Sequence, residues 1–411
     1  MNASGAPGLN RTLSLGHATL YGLGVTIGAG IYVLIGAAAA HSAMYAPAAF
    51  AVAALLMALT AASFAELVTR APVAAGEAAY VALAFHSDRL ATVVGLFVVG
   101  IAVISAATIS VGAAGYIAVF VSLPAFVLVT GVVLAMGAIA AWGIKESVTF
   151  AGLMTLIEVG GLVVVILAGM LFLPGLFSRL PEMVPPLQTA GTVEAILSTT
   201  LLGVFAFIGF ESLANVAEEV KEPSRTIPRA IFLTLIIATL LYMLVVWIAL
   251  LAVPVPELIQ ASAPLALVFE RLTGLSPRFM SAIAIVATLN GIVIQIILAS
   301  RVLYGLSRQG QLPAVLAEVN PKTRTPLVAT VATAALVLLI AMFLPLHNLA
   351  DLTARLSLLV FTIVNLSLAR IKLRGDSPPL GAFVAPTWVP WAGCATCIML
   401  LIAELALEMN L

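Results

Sequence analysis

The sequence predicts an all-α membrane protein with about eleven transmembrane helices. Of its 411 residues, 63% are hydrophobic and only 9% are charged, whereas a typical soluble domain carries roughly 25% charged residues. Asp, Glu, Lys and Arg are absent between Arg11 and Glu66, and again between Arg89 and Lys145. A folded chain with so few charged residues has a largely apolar surface, and such a surface is stable only against lipid. We therefore expect the chain to lie in a bilayer.

The two charge-free runs are each too long for one crossing of about 20 residues. Each run has a break in its middle, at residues 41–47 and at Ser122–Leu123–Pro124. The apolar stretches are continuous rather than alternating, which excludes a β-barrel. The predicted helices run over residues 13–40, 46–69, 90–121, 125–142, 148–173, 193–219, 229–251, 277–306, 326–345, 349–370 and 387–409.

The basic residues predict the orientation of these helices. With the N-terminus inside, four arginines face outward, namely Arg179, Arg271, Arg278 and Arg355, and the other fourteen of the 18 basic residues lie on the inner side. This bias agrees with the positive-inside rule. No basic segment precedes the first apolar run, so we expect no cleavable signal peptide.

Two predicted helices contain weak points. The stretch Gly22–Gly36 holds five glycines, with Gly28 and Gly30 closest together, and the stretch 203–220 has Gly209 beside Glu211. Glycine lowers helix stability by about 1 kcal/mol relative to alanine. The weak points lie near Ala29 and Gly209, each in the opening helix of a five-helix group. Paired interruptions of this kind indicate a transporter built from two inverted repeats.

An interrupted membrane helix exposes backbone N–H groups at one break and carbonyl groups at the other. The N–H end attracts a carboxylate, and the carbonyl end attracts an ammonium group or a cation. An α-amino acid carries both groups on one carbon. Backbone alone could therefore hold the part that all amino acids share.

Several other features of the sequence have simpler explanations or argue against other functions. Gly24 and Gly28 also form a GxxxG pair, which often serves only close helix packing. Cys394 and Cys397 lie in an apolar stretch, where they are expected to pack rather than to react. The histidines match no metal spacing, the zero net charge gives no reason to expect nucleic acid, and no ATP-binding motif is present. We expect no metal and no cofactor.

Four stretches resemble the amino acid/polyamine/organocation transporter superfamily, nearest its bacterial amino acid permeases and its cationic amino acid transporter branch. They cover IGAGIYVLIG at 27–36, GIKES at 143–147, FAFIGFESLANVAEEVKEPSRTIPRAI at 205–231, and ASRVLYGLSRQGQLP at 299–313 with NPKTRTP at 320–326. The resemblance implies the LeuT-type fold, with repeats at 13–173 and 193–370 and an additional helix at 387–409. It also implies an amino acid substrate at the membrane midplane.

The resemblance implies binding residues one by one. The substrate carboxylate falls on the backbone of Gly28, Ala29 and Gly30. The amine falls on carbonyls near Ile27, Phe205, Ala206 and Ile208, and Phe207 and Phe210 become neighbours of the side-chain pocket. Bulk at Gly30 would block the carboxylate, so Gly30→Val is expected to abolish binding in a protein that still folds.

Two departures from the family pattern matter. Many members have twelve helices, whereas eleven are predicted here. Members of the cationic branch carry a lysine in the fifth helix where this chain has Glu158, the only charged residue between Ser147 and Ser178. A charge at mid-membrane costs roughly 3 kcal/mol on insertion scales and is functional by default. We expect Glu158 to couple transport to protons, with Asn290 of the eighth helix as its polar neighbour.

The Glu218–Glu219 pair is expected to be an ion-pair latch on the inner gate. Lys221, Arg225 and Arg229 follow it closely, and Arg301 and Arg308 are predicted to end the eighth helix on the same side. A substrate-binding role is the weaker alternative. The latch hypothesis predicts that Glu219→Gln changes gating or folding but not the ranking of substrates.

The expected activity is proton-coupled amino acid transport across the cell membrane by alternating access. Sodium coupling, with ionised Glu158 as a ligand, and exchange of amino acids or polyamines are the alternatives, as is a purely structural Glu158. A channel would need a selectivity filter and an enzyme would need a reactive constellation, and the sequence offers neither. Membrane lipids are the other expected partners. The sequence does not fix the transported amino acid, the oligomeric state or the role of Glu211.

Overall fold

The computed structural model describes residues 13–28, 30–71, 76–142, 148–186, 190–323 and 325–409. Within these ranges the regular structure is helical, apart from one isolated bridge between Leu13 and Val220. The α-helices are α1 (Leu15–Ile27), α2 (Ile31–Ser42), α3 (Ala46–Arg70), α4 (Gly76–Phe85), α5 (Asp88–Ile117), α6 (Ala125–Trp142), α7 (Val148–Phe172), α8 (Ala190–Phe207), α9 (Pro223–Ala252), α10 (Val255–Gln260), α11 (Pro264–Thr273), α12 (Arg278–Arg308), α13 (Leu327–Phe343), α14 (Leu346–Leu373) and α15 (Val389–Met409). Short 3-10 helices cover Ala43–Tyr45, Leu176–Met183, Phe210–Glu219 and Ala314–Ala317.

All eleven predicted segments coincide with helices of the structure. Nine helical segments of the described chain are long and apolar enough to cross a membrane. One of them, Ile31–Arg70, takes in both α2 and α3, and the 17-residue α13 is apolar but shorter. The helical membrane architecture is thus clear, and the number of eleven crossings stays a prediction.

The first predicted helix is two helices. Helix α1 ends at Ile27 and α2 begins at Ile31, with Gly28 and Gly30 at the ends of the break. Two glycines in the last turns of α1, Gly22 and Gly24, weaken the helix. We expected a break near Ala29, and Ala29 itself lies outside the described residues.

The sixth predicted helix is also broken. Helix α8 ends at Phe207, and the chain continues from Phe210 as a 3-10 helix, called the 210–219 helix below. Between them Gly209 has a φ of +135°, a conformation that only glycine adopts without strain. This break lies at the second expected weak point.

Several shorter elements escaped the sequence analysis. Helices α4, α10 and α11 are too short to span a bilayer and carry charged residues at their ends. Helix α11 nevertheless buries one apolar side, formed by Leu265, Val268, Phe269 and Leu272. The prediction selected segments by the length needed for a crossing, and these three helices are shorter than that.

The buried apolar side chains form two large clusters. One unites α1, α2, α3, α8 and α9 with the 210–219 helix. The other unites α5, α6, α12 and α13. Large apolar side chains such as Leu55, Trp142 and Leu171 point outward, as expected for a lipid-facing surface.

A buried ionic network ties the end of α3 to α14 and the following loop. The fully buried Glu66 carboxylate accepts hydrogen bonds from Arg70 (2.8 Å), from Lys372 (2.7 Å) and from the backbone N–H of Ala385 (2.8 Å). Every charge in this group has a partner, which is the condition under which a buried ion pair is tolerated. The network fixes the loop before α15 against α3.

Candidate functional site

The two interruptions lie against each other. A β-carbon on Gly30 would stand 2.6 Å from the Cα of Ala206, and one on Gly209 would stand 2.8 Å from the Cα of Thr26. Real β-carbons do not approach other atoms so closely. Each break therefore needs a glycine where it meets the other broken helix.

This close approach changes what a Gly30 variant reports. The sequence analysis expected Gly30→Val to lose binding while folding normally. A side chain at Gly30 would collide with the backbone of Ala206, and overpacking of this kind costs about 1–3 kcal/mol. Gly30→Val therefore does not separate binding from helix packing.

One hydroxyl of α9 joins the two breaks. The buried Tyr242 hydroxyl lies 2.9 Å from the carbonyl oxygen of Thr26 and 3.0 Å from that of Ala206. In continuous helices these carbonyls would accept from the N–H groups of Gly30 and Phe210. Because both helices stop, the single hydroxyl proton of Tyr242, placed between the two carbonyls, takes the place of the two missing N–H donors.

The start of α2 is suited to an anion. Gly30 precedes α2 without a side-chain cap, and its carbonyl accepts from the N–H groups of Val33 and Leu34. The N–H groups at the start of a helix have no partner within it, and the helix dipole adds positive potential there. A substrate carboxylate could bind these groups.

The carbonyl groups expected to hold the amine are partly occupied. The Phe205 carbonyl accepts from the N–H of Ile208 at 3.2 Å, and the Ala206 carbonyl faces Tyr242. A carbonyl oxygen has two lone pairs and can accept a second hydrogen bond. Each of these two carbonyls can therefore still accept a hydrogen bond from an ammonium group.

The two predicted pocket aromatics are both buried, but they pack against different aromatic rings. Phe207 packs against Phe50 and Tyr242. Phe210 packs against Phe64 and Phe361. They flank the second break on opposite sides, so only Phe207 adjoins the hydroxyl that joins the breaks.

Glu158 of α7 lies buried at the junction of α1 and α12. Its Oε1 accepts a hydrogen bond from the Asn290 side-chain amide at 2.9 Å. Its Oε2 is buried and has no hydrogen-bond partner among the described residues. Oε2 lies 3.5 Å from the position of a Gly28 β-carbon, and the Ala287 carbonyl oxygen lies 3.0 Å from the same point. The free carboxyl oxygen therefore shares the space around Gly28 with a backbone carbonyl.

The Gly24–Gly28 pair serves the packing of α1. The Thr155 hydroxyl of α7 lies against Gly24, and Glu158, one turn later, lies beside Gly28. The Gly24–Gly28 pair therefore serves close helix packing, and it also lies at the helix break. The same two glycines that admit α7 bring Glu158 to the first interruption.

Two further tyrosines fix α2. The Tyr32 hydroxyl donates to the Glu158 backbone carbonyl at 2.6 Å. The Tyr116 hydroxyl of α5 donates to the Tyr32 backbone carbonyl. With Tyr242, these residues were missed by the sequence analysis. Their one signal in the sequence was that each is the single tyrosine of its helix.

Some predicted site residues lie outside the described part of the chain. Ala29 and the GIKES stretch at 143–147 lie outside the described residues, as do the side chains of Glu218 and Glu219. The described parts of the chain contain no group of three His, Cys, Asp or Glu residues placed to hold a metal ion. Cys394 and Cys397 are buried and unbonded to each other.

The fold and this site define a class, the polytopic helical membrane proteins in which two broken helices face each other, as in many carriers. The family model described as amino acid permease matches residues 13–407. The chain belongs to the amino acid permease family. It is a multi-pass membrane transporter and not an enzyme.

Curated relatives have similar sequences over nearly the whole chain. The branched-chain amino acid permease BcaP of Bacillus subtilis is 28% identical over 97% of this chain and 89% of its own length. The vacuolar cationic amino acid transporter 2 of Arabidopsis thaliana is 28% identical over 90% of this chain, which spans only 61% of that protein. The methylthioribose transporter of B. subtilis is 28% identical over 93% of this chain and 85% of its own length.

Proposed function

We propose that this permease is a secondary active carrier that moves amino acids by alternating access. The observation that carries the proposal is the contact between the two broken helices, where helix ends of both polarities converge. A zwitterionic amino acid carries the two charges that such ends attract. The relatives named as amino acid permeases and transporters support the same substrate class.

The proposed architecture is the LeuT-type fold of two inverted five-helix repeats. Residues 13–173 form the first repeat, residues 193–370 the second, and residues 387–409 an additional helix. The breaks support this division, because each occurs in the opening membrane segment of a repeat. The N-terminus is proposed to be cytoplasmic and the membrane to be the cell membrane, following the distribution of basic residues.

In the proposed substrate site the carboxylate binds the backbone of Gly28, Ala29 and Gly30 at the start of α2. The amine binds carbonyls of Ile27 and of the 205–208 stretch, which comprises Phe205, Ala206, Phe207 and Ile208. The contact between Gly30 and Ala206 leaves no space between these backbones. Substrate entry therefore requires the two breaks to separate by a small movement.

Glu158 is the proposed proton-coupling residue. Desolvation favours the neutral form of a carboxyl group, and a neutral Glu158 could donate from Oε2 to a backbone carbonyl near Gly28. An ionised Oε2 would instead repel that carbonyl. Protonation would thus brace the first broken helix, and deprotonation would release it. The Asn290 hydrogen bond supports the proposal because it orients the carboxyl group.

Sodium coupling is the second candidate. An ionised Glu158, the Asn290 side chain and carbonyls near Gly28 would offer oxygen ligands of the kind that a hard cation prefers. Exchange of amino acids without ion coupling is the third candidate. The proposed inner-gate latch of Glu218 and Glu219 is compatible with all three.

The proposed substrate class is tested by a thermal-shift screen of the purified protein against all amino acids and several polyamines. A ligand that binds only the folded state raises the melting temperature. We expect at least one amino acid to raise it. If none of the compounds raised the melting temperature, the result would count against the amino acid assignment.

A further inference from the structure

A cavity of about 290 Å³ lies between α2, α5, α6 and the loop that joins α10 to α11. Its floor is buried and includes Val33 of α2, Gly112 of α5 and Leu128 of α6. Its rim is exposed and includes Ala118, at the end of α5, and Ala125, at the start of α6. The cavity is therefore closed on its inner side and open at the turn between α5 and α6. Its volume is near the lower end of the roughly 300–1,000 Å³ of ligand pockets.

The lining of this cavity is apolar. None of the described residues that line it is charged, and its two side-chain hydroxyls belong to Tyr116 and Ser262. The Tyr116 hydroxyl donates to the Tyr32 carbonyl and accepts from the Leu265 N–H at 3.4 Å, and Ser262 lies at the exposed rim. A buried water needs about two to four polar partners, and a zwitterionic amino acid would bury two unpaired charges. The lining therefore favours an apolar occupant.

The turn between α5 and α6 borders the mouth of the cavity. Residues 118–127 contain no charged residue, and Ser122 is their one polar side chain. Phe120, Leu123 and Phe126 are 46%, 49% and 63% exposed, and Leu123 also lines the cavity. A contiguous exposed apolar surface of this kind marks contact with a membrane or a partner. Because α5 and α6 are both long and apolar enough to cross a membrane, the mouth faces hydrocarbon chains.

We propose that this cavity is a lipid site that binds one alkyl chain of a phospholipid, inserted from the leaflet at the turn between α5 and α6. Side chains that line a void lack contact partners on one side and lose the dispersion energy of those contacts. An alkyl chain restores these contacts and needs no hydrogen-bond partner. The phospholipid headgroup would stay outside the rim, near the exposed Ser262.

The bound chain would brace α2 against α5. A β-carbon on Gly112 would stand 2.4 Å from the Val33 side chain, so the two helices touch at the floor of the cavity. The Tyr116–Tyr32 hydrogen bond joins the same two helices. Helix α2 is the second half of the first broken helix, so the lipid chain would stabilise that half in the position described here. The site is distinct from the proposed substrate site and does not depend on it.

The test is photolabelling of the full chain in phospholipid vesicles. The vesicles consist of phosphatidylethanolamine and phosphatidylglycerol with a trace of phosphatidylglycerol that carries a diazirine on one acyl chain. After irradiation, mass spectrometry of peptides locates the labelled residues. We expect adducts on the floor of the cavity, at residues 111–116 and 128–129, as well as on lipid-facing side chains such as Leu134, which is 59% exposed. The variant Ala125→Phe narrows the mouth and should lose most of the floor adducts while Leu134 stays labelled.

A matched control separates the mouth from the rest of the helix. Ala138→Phe makes the same substitution at another exposed position of α6 and should keep the floor adducts. Ala118→Phe narrows the mouth from the α5 side and should act as Ala125→Phe does, which covers the case that one rim variant folds poorly.

Three results would overturn the lipid assignment. The first is a wild-type protein labelled at Leu134 but not on the floor of the cavity. The second is floor labelling that persists in both rim variants or falls equally in Ala138→Phe. The third is floor labelling by a free diazirine-bearing amino acid instead of by the lipid, which would place the cavity on the substrate path. Photolabelling does not need transport, so a failure of the transport assays would contradict the proposed function alone.

Discussion

The Asn290 side-chain amide of α12 donates a hydrogen bond to the Glu158 carboxyl group of α7 over 2.9 Å. The two residues are 132 positions apart in sequence, and their contact joins α7 and α12 at the edge of the first break. It leaves Oε2 of Glu158 directed at the space around Gly28. The proposed coupling mechanism depends on whether Oε2 is protonated.

Glu158→Gln keeps a hydrogen-bond donor and removes titration. We expect this variant to retain substrate binding and exchange but to lose accumulation driven by a pH gradient. A gradient of one pH unit supplies about 1.4 kcal/mol, or about tenfold accumulation for one proton. The measurement is uptake into proteoliposomes with an imposed pH gradient. Glu182→Gln, in an exposed ion pair with Arg179, is the control. Unchanged pH dependence would refute proton coupling through Glu158. A strict sodium requirement in the wild type would favour sodium coupling instead.

Tyr242→Phe tests the hydroxyl between the breaks. It removes the donor that serves the Thr26 and Ala206 carbonyls. A polar contact between membrane helices contributes about 0.5–2 kcal/mol, so we expect a lower melting temperature together with weaker substrate binding. Tyr45→Phe, at a half-buried position away from the breaks, should change neither quantity. Equal effects of the two variants would show that the hydroxyl has no special role.

Gly30→Ala tests the contact between the broken helices. A β-carbon there would meet the Cα of Ala206 at 2.6 Å, and we expect a loss of about 1–3 kcal/mol in stability. Gly160→Ala in α7 is the matched control, because a β-carbon at Gly160 meets nothing within 4 Å. It should leave stability unchanged or raise it by up to about 1 kcal/mol. Thermal unfolding in detergent compares them, and a fully stable Gly30→Ala protein would contradict the described contact.

Glu66→Gln tests the buried ionic network. It leaves Arg70 and Lys372 without their shared carboxylate, and breaking a buried pair costs about 3–5 kcal/mol. Glu182→Gln breaks an exposed pair and should cost about 0–1 kcal/mol. Thermal unfolding of both variants would give the comparison. A Glu66→Gln protein as stable as Glu182→Gln would mean that the network contributes little.

The sequence predicted the long helices because each is a continuous apolar run near the length of a bilayer crossing. It also predicted both breaks, since the glycines clustered around Gly28 and the single Gly209 beside Glu211 weaken a helix where lipid offers no other partner for the backbone. The Glu158–Asn290 pair was expected only through the resemblance to a family. Nothing in the residues themselves orders α7 beside α12.

The missed features depend on distant contacts. Tyr242 and Tyr32 act on backbone carbonyls of other helices, and no local pattern marks such partners. Glu66 appeared to be an ordinary charge at the end of a helix, because its partners Lys372 and Ala385 lie some 300 positions away. The cost of Gly30 substitution was misjudged for the same reason, since Ala206 comes from the second break.

The central claim is that this permease carries amino acids through a saturable site between the two breaks. Counterflow in proteoliposomes tests it most directly: vesicles loaded with an unlabelled amino acid receive a trace of the same labelled compound. We predict uptake well above that of protein-free vesicles that saturates with substrate. Uptake that neither saturates nor responds to the internal amino acid, or no uptake with any amino acid, would contradict the account.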